Sequence, residues 1–286
     1  MPELPEVETI ASDLNAALRG QTISVVRRLG VRSVITSSWP AFSRAMSGAK
    51  VRRIFRRAKM LVIETPAGLV VIHLKMTGQL IYISKNIKLA GGHPILSTGV
   101  DVPNKHTRLV FEFKGGGRLY FNDLRKFGWV RLMSAEQFAE TERGVGIEPL
   151  GPDFSLAFFK NMLQSRGGTT IKAVLLDQTK LAGLGNIYVD EALFDSRIKP
   201  DRRVATLTPA EIKRLQAAIP KILRHSIAQR GTTFRNFTDA DGLKGSYMSF
   251  LKVYGRQGKP CRRCGTILHK IRVAGRGTHF CPRCQV

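Results

Sequence analysis

A chain of 286 residues with 43% apolar content is long enough for two or three domains with true cores. Its 46 Lys and Arg outnumber 21 Asp and Glu, a net of +25, which points to a polyanionic partner, since each neutralised phosphate releases counterion. No run approaches the ~18 apolar residues that span a bilayer, and the acidic start is unlike a signal peptide, so the expectation is a soluble cytoplasmic protein.

The first six residues, Met1-Pro2-Glu3-Leu4-Pro5-Glu6, allow two readings. Proline and acids in a first turn suit an ordinary helix start. If Met1 is removed, however, Pro2 presents a secondary α-amine that titrates near ~7.7–8.0 and is partly nucleophilic at neutral pH. Glu3 and Glu6 then lie beside it as proton-transfer groups. Apolar residues at Val7, Ile10, Ala11, Leu14 and Leu18 keep helical spacing, and Gly20 is a stop. Strands are expected at Ile23–Val31, Lys50–Arg57, Met60–Thr65, Leu69–Leu74, Thr107–Lys114, Arg118–Phe121 and Trp129–Met133. Ser84–Lys105 reads as a long, weakly patterned mobile loop. The whole describes an α+β multidomain chain that opens with a β-sandwich or barrel carrying a flanking helix.

Near Glu148-Pro149-Leu150-Gly151-Pro152 the pattern turns helical, with helices expected at Ser155–Gln164, Ile171–Asp177 and Ile187–Ser196. Another opens at Thr208-Pro209-Ala210-Glu211, carries Pro220 as a kink and ends at Gly231. Domains are therefore expected at 1–147, 148–240 and 241–286. Between two of the helices, Gly183-Leu184-Gly185-Asn186 offers a tight turn in which Asn186 can cap the next helix. It is also a place where exposed amides suit a phosphate.

The four cysteines, Cys261, Cys264, Cys281 and Cys284, form C-x2-C, sixteen residues, then C-x2-C. This spacing brings four thiolates to one ion, and a fully protein-ligated site makes the Zn2+ structural rather than catalytic. From Gly242 to Val286 there are ten Lys or Arg and no acid, which marks the tail as a polyanion-binding knuckle. Lys59 closes Arg56-Arg57-Ala58-Lys59 between two strands; a solvated charge run and a phosphate contact are both open readings. Met76 in His73-Leu74-Lys75-Met76-Thr77-Gly78 is a core residue or a wedge between bases. Arg125-Lys126-Phe127-Gly128-Trp129 shares that ambiguity.

Taken together, these motifs resemble the bacterial formamidopyrimidine-DNA glycosylases, nearly end to end. The resemblance implies an N-terminal β-sandwich, a helix–two-turn–helix domain and a zinc finger, with double-stranded DNA containing oxidised bases bound across a cleft. It implies a bifunctional glycosylase and abasic-site lyase in base excision repair, acting as a monomer in the bacterial cytoplasm at the nucleoid. Pro2 is then the nucleophile, Glu3 the acid/base group and Glu6 its support. Lys59, His73, Asn186 and Arg276 contact phosphates flanking the lesion. Met76, Arg125 and Phe127 fill the gap left by the everted base, with Arg125 facing the orphaned cytosine. Two departures stand out: Lys75 replaces a Gly, and Ser84–Lys105 is longer than expected. The base-recognition loop is expected within Asp239–Ser249. Two other readings are an endonuclease VIII-type glycosylase for oxidised pyrimidines, disfavoured by Leu4 where that type has Gly, and a non-catalytic damaged-DNA-binding protein.

Overall fold

The computed structural model describes residues 1–29, 38–92, 101–232 and 247–286. These separate into two compact units, Met1–Glu142 with the described part of Gln229–Ser246, and Arg143–Ala228 with Tyr247–Val286. Among the described residues no helix is long and apolar enough to cross a membrane.

The first unit is organised around α1 (Leu4–Leu18), whose residues Val7, Ile10, Ala11, Leu14 and Leu18 are all buried, as their helical spacing requires. Two antiparallel sheets enclose the same core. One runs β1-β7-β8-β5-β6, built from Ile23–Arg28, Thr107–Phe113, Arg118–Asp123, Gly78–Ile83 and Lys88–Gly92. The other runs β2-β3-β4-β9, from Arg53–Arg57, Met60–Thr65, Gly68–His73 and Trp129–Met133. Alternation fixes which side chains face inward. Leu80, Leu109, Phe111, Leu119 and Phe121 from the first sheet meet Ile54, Leu61, Ile63, Val70, Ile72 and Val130 from the second. Helix α2 (Trp39–Met46) adds Phe42 and Met46 to that core, and α3 (Ala135–Arg143) sets Phe138 edge-on to Phe55.

The expected sandwich with its flanking helix is present, with differences in detail. The loop expected at Ser84–Lys105 contributes the edge strand β6, paired with β5 from Gln79↔Gly92 to Ile83↔Lys88. Val102 packs with Leu29, Ile83 and Ala90 against Ile81, Val110 and Tyr120 on the outer face of the sheet. Lys88-Leu89-Ala90-Gly91-Gly92 has no β-branched residue, so only pairing across the sheet makes it a strand. Residues 93–100 of that segment lie outside the described residues, as do 30–31 of the first expected strand. Strand β5 and helices α2 and α3 were not among the expected elements.

In the second unit α4 (Leu156–Gln164) is capped by the Ser155 hydroxyl, which accepts the Phe158 amide, and α5 (Ile171–Leu176) and α6 (Asn186–Asp195) flank the Gly183–Gly185 turn. Helix α7 (Pro209–Ala228) opens with the expected capping box: the Thr208 amide donates to Glu211 Oε2 at 2.8 Å and the Glu211 amide to Thr208 Oγ1 at 3.3 Å. Pro220 lies inside it, and the helix stops at Ala228 rather than running to Gly231. A short α8 (Tyr247–Phe250) leads to the hairpin β10 (His269–Val273) and β11 (Arg276–Phe280). The cysteine knuckle rests on α6, with Phe194 buried beside Val253, Cys261, Leu268 and Cys281.

The close fit of β6 onto α1 is testable. A Cβ built on Gly91 would lie 2.2 Å from Ile10 Cγ1. Gly91→Ala is expected to destabilise the protein by about 1–3 kcal/mol through overpacking, read as a lower urea midpoint with an unchanged slope.

Candidate active site and metal centre

Strand register gathers the residues singled out in the first unit at one end of the sandwich. His73 ends β4 opposite both Met60 and Trp129, and Met60 pairs with Arg57 across the turn that carries Lys59. Gly78, two residues after Met76, pairs with Asp123, two residues before Arg125. Glu8 on α1 accepts from Arg56 Nε at 2.7 Å, and Arg56 also donates to the Ala58 carbonyl at 3.0 Å. This tie brings the start of α1 to the same turn.

At that start Pro2, Glu3 and Glu6 are buried. Glu3 is the N-cap of α1, and its amide donates to Glu6 Oε2 at 2.9 Å. Glu6 Oε1 accepts both the Thr232 amide and the Thr232 hydroxyl, each at 2.9 Å. Asp13, further along α1, pairs with Arg230. Nothing in the sequence pattern linked Thr232 or Arg230 to the first helix; more than 200 positions separate the partners.

Lys59 is buried, and His73 feels its charge. Burial first, then Lys75, then Lys59, push the His73 pKa down from 6.5 to about 3. The ring is therefore neutral, and because Nδ1 accepts the Lys75 amide at 3.0 Å, its proton sits on Nε2. The residue is a directed neutral donor rather than a cation. Lys75 adopts φ +49°, in the left-handed region that glycine occupies freely, which explains why Gly suits this position. Met76 and Phe127 are exposed apolar side chains, and the Arg125 guanidinium lies 4.6 Å from the Phe127 ring centroid. The sequence missed Asp123 and Thr77, whose buried oxygens join the two loops.

In the second unit Asn186 does not cap α6; Gly185 does, and Asn186 Nδ2 donates to the Gly277 carbonyl at 2.8 Å. Gly277 follows Arg276 on β11, so this bond brings Asn186 beside the strand that carries Arg276. Two acids of the same helix, also missed, hold the finger. Asp190 pairs with Lys172 at 2.5 Å, both fully buried, and accepts the His279 amide at 2.8 Å. Glu191 accepts the amides of Lys252, Val253 and Tyr254 at 2.9–3.0 Å. Their signal was an acid pair inside an apolar helix of a strongly basic chain.

The four cysteine sulfurs lie within 4.8 Å of one another, with Cys261–Cys284 at 4.0 Å and Cys264–Cys281 at 3.5 Å. Zn–S bonds of about 2.3 Å give tetrahedron edges near ~3.8 Å, so the set fits one Zn2+. All four are free of disulfides. The Arg263 and Cys284 amides each approach a sulfur at 3.4 Å, which suits thiolates. This is one structural zinc site with no position for water.

Three family models match the chain: the formamidopyrimidine-DNA glycosylase N-terminal domain over residues 1–130, the formamidopyrimidine-DNA glycosylase H2TH domain over 145–238, and the zinc finger found in FPG and IleRS over 258–286. The formamidopyrimidine-DNA glycosylase of Pelotomaculum thermopropionicum is 41% identical over 288 residues, covering 100% of this chain and 99% of that protein. That of Herpetosiphon aurantiacus is 41% identical over 287 residues, covering both chains fully. Among solved structures, Lactococcus lactis Fpg in complex with an abasic-site DNA superposes with a TM-score of 0.86 at 34% identity over 99% of both chains. The Lactococcus lactis complex with a Fapy-dG containing DNA gives 0.84 at 34% identity over 99% of both.

Two measurements follow from this geometry. The His73 imidazole is expected to show no NMR titration between pH 5 and 8. Because the folded form refuses a proton that the unfolded chain accepts below about 6.5, His73 should contribute a loss of stability as pH falls from 6.5 toward 3. A His73 midpoint near 6.5 would contradict the assigned ring state. Separately, chelating the zinc is expected to weaken duplex DNA binding while the first unit stays folded by far-UV circular dichroism; unchanged affinity would contradict the finger's role.

Proposed function

Because this chain belongs to the formamidopyrimidine-DNA glycosylase family, we propose that it excises oxidised purines, 8-oxoguanine and formamidopyrimidines, from double-stranded DNA. It then cleaves the strand by β,δ-elimination through a Schiff base on Pro2. The observation that carries this reading is the start of α1, where Pro2 and Glu3 are buried and the Glu3 amide is pinned to Glu6 at 2.9 Å.

A base cannot be attacked inside the duplex, and turning it out costs a few kcal/mol. Met76 and Phe127 occupy the vacated stack and Arg125 meets the orphaned cytosine, while basic residues grip the backbone. Lys59 brings charge to a flanking phosphate, and neutral His73 brings the Nε2 proton. Asn186 and Arg276 act on phosphates from the second unit. With Met1 removed, the Pro2 nitrogen attacks the sugar's first carbon and the bond to the base breaks, its electron pair leaving with the base. Glu3 donates a proton to the ring oxygen as the sugar opens to the iminium. The iminium acidifies the adjacent sugar proton; Glu3, ionised after protonating the ring oxygen, takes that proton as the 3′ phosphate leaves with the electron pair of its C–O bond. A second elimination expels the 5′ phosphate. Glu6 holds the turn in which these transfers occur. The segments 1–147, 148–240 and 241–286 serve respectively as catalytic domain, helix–two-turn–helix domain and finger, in a monomer working in the bacterial cytoplasm. The loop reading the damaged base falls largely outside the described residues.

Borohydride trapping on a duplex with 8-oxoguanine opposite cytosine, followed by peptide mapping, is expected to place the cross-link on Pro2. Glu3→Gln is expected to slow excision by about 10²-fold or more with duplex binding retained. Binding without a cross-link, once Met1 is shown to be absent, would instead favour a damage-binding protein. Faster release of thymine glycol than of 8-oxoguanine would move the chain to the endonuclease VIII type.

A further inference from the structure

We propose that Asp123 and Thr77 are positioning residues that lock the Met76 loop to the Arg125–Phe127 loop and thereby set how strictly the protein reads the base opposite an extruded one. The proposal rests on the gap-filling reading of Met76, Arg125 and Phe127 given above.

Asp123 is the last residue of β8 and is fully buried. A buried carboxylate persists only when donors replace its hydration. Here Oδ1 accepts the Thr77 hydroxyl at 2.5 Å and the Arg125 amide at 3.2 Å, and Oδ2 accepts the Gly128 amide at 2.7 Å. One carboxylate thus holds both ends of the 125–128 loop. Thr77 closes the triangle: its hydroxyl donates to Asp123 and accepts the Arg125 amide at 3.0 Å. Since Thr77 directly follows Met76, one direct hydrogen bond joins the residue after the exposed Met to the backbone of Arg125.

The bracket is itself fixed from behind. The Asp123 carbonyl accepts Arg108 Nε at 3.0 Å and Nη2 at 2.9 Å, and its amide donates to the His106 carbonyl at 2.9 Å. A Cβ at residue 128 would lie 2.8 Å from the Phe121 ring and 3.0 Å from Asp123 Oδ2, so the close approach of this backbone to the carboxylate requires glycine. Leu124 and Phe127, by contrast, are exposed. The loop tips are free to meet a ligand, while their bases form one rigid unit. A site that must place one side chain in a gap and another against the facing base needs that shared reference, because misplacement of about 1 Å costs up to 10²-fold.

Single-turnover excision on 8-oxoguanine opposite cytosine and opposite adenine, with Thr77→Val, Thr77→Ser and Asp123→Asn, tests this. Thr77→Val keeps the shape and loses the hydroxyl; Thr77→Ser keeps the hydroxyl. Thr77→Val and Asp123→Asn are expected to lower the cytosine rate about tenfold or more and to shrink the cytosine-over-adenine ratio by a similar factor, with Thr77→Ser within about threefold of the parent. A purely structural role would slow both duplexes alike. An unchanged ratio in Thr77→Val, or in Asp123→Asn shown to be folded by circular dichroism, would therefore overturn the proposal. The ratio of Kd values on tetrahydrofuran-site duplexes opposite cytosine and adenine reads the same coupling without excision. An inactive parent would thus overturn the substrate reading, while the coupling stands or falls on the binding ratio.

Discussion

The Glu6 carboxylate is the interaction on which the arrangement of the first unit's chemistry depends. It is almost wholly buried, and one oxygen takes the Glu3 amide while the other takes the amide and hydroxyl of Thr232. These donors replace the water that burial takes from the carboxylate. The same bonds hold the first turn of α1 against a segment more than 220 positions away. A chain start would ordinarily fray; here the first helical turn is held from both sides.

This use of an acid recurs throughout a chain of net charge +25. Glu6, Asp123, Asp190 and Glu191 are all buried, and each accepts two or more donors from beyond its own helix or strand, those of Glu191 being three consecutive amides of one segment. These four acids are internal struts, while most of the Lys and Arg lie at least partly exposed. The division has a physical basis: a carboxylate accepts several directed bonds at once and can join neighbouring loops, while surface cations serve counterion release on a polyanion. His73 follows a related logic, since a neutral ring with a fixed tautomer gives direction where Lys59 gives charge.

Much of the fold was legible in the residues. The helical spacing from Val7 to Leu18, the β-branched runs of β3 and β7, the capping box at Thr208 and the two cysteine pairs each carry their own local signal, and each is found where that signal points. Strand β6 and the Asn186 contact were not legible. Gly91 and Gly92 carry no strand propensity, and Asn186 has the chemistry of a cap but finds its acceptor on the finger at Gly277. Lys75 shows the intermediate case: the sequence marks it as a departure, and only its φ of +49° says why glycine suits that position.

By itself the sequence determined the composition of the sites: a proline and two acids at the start, four thiols at zinc spacing, two short motifs carrying Met, Arg and Phe, and an excess of positive charge. These are local or summed properties, readable without knowing which residues meet. The tertiary structure alone decided that Thr232 meets Glu6, that Asp123 joins Thr77 to Arg125, that Lys172 and His279 share Asp190, and that His73 is neutral with its proton on Nε2. Each depends on burial and on partners distant in sequence, and both are set by packing of the whole unit rather than by any stretch of chain.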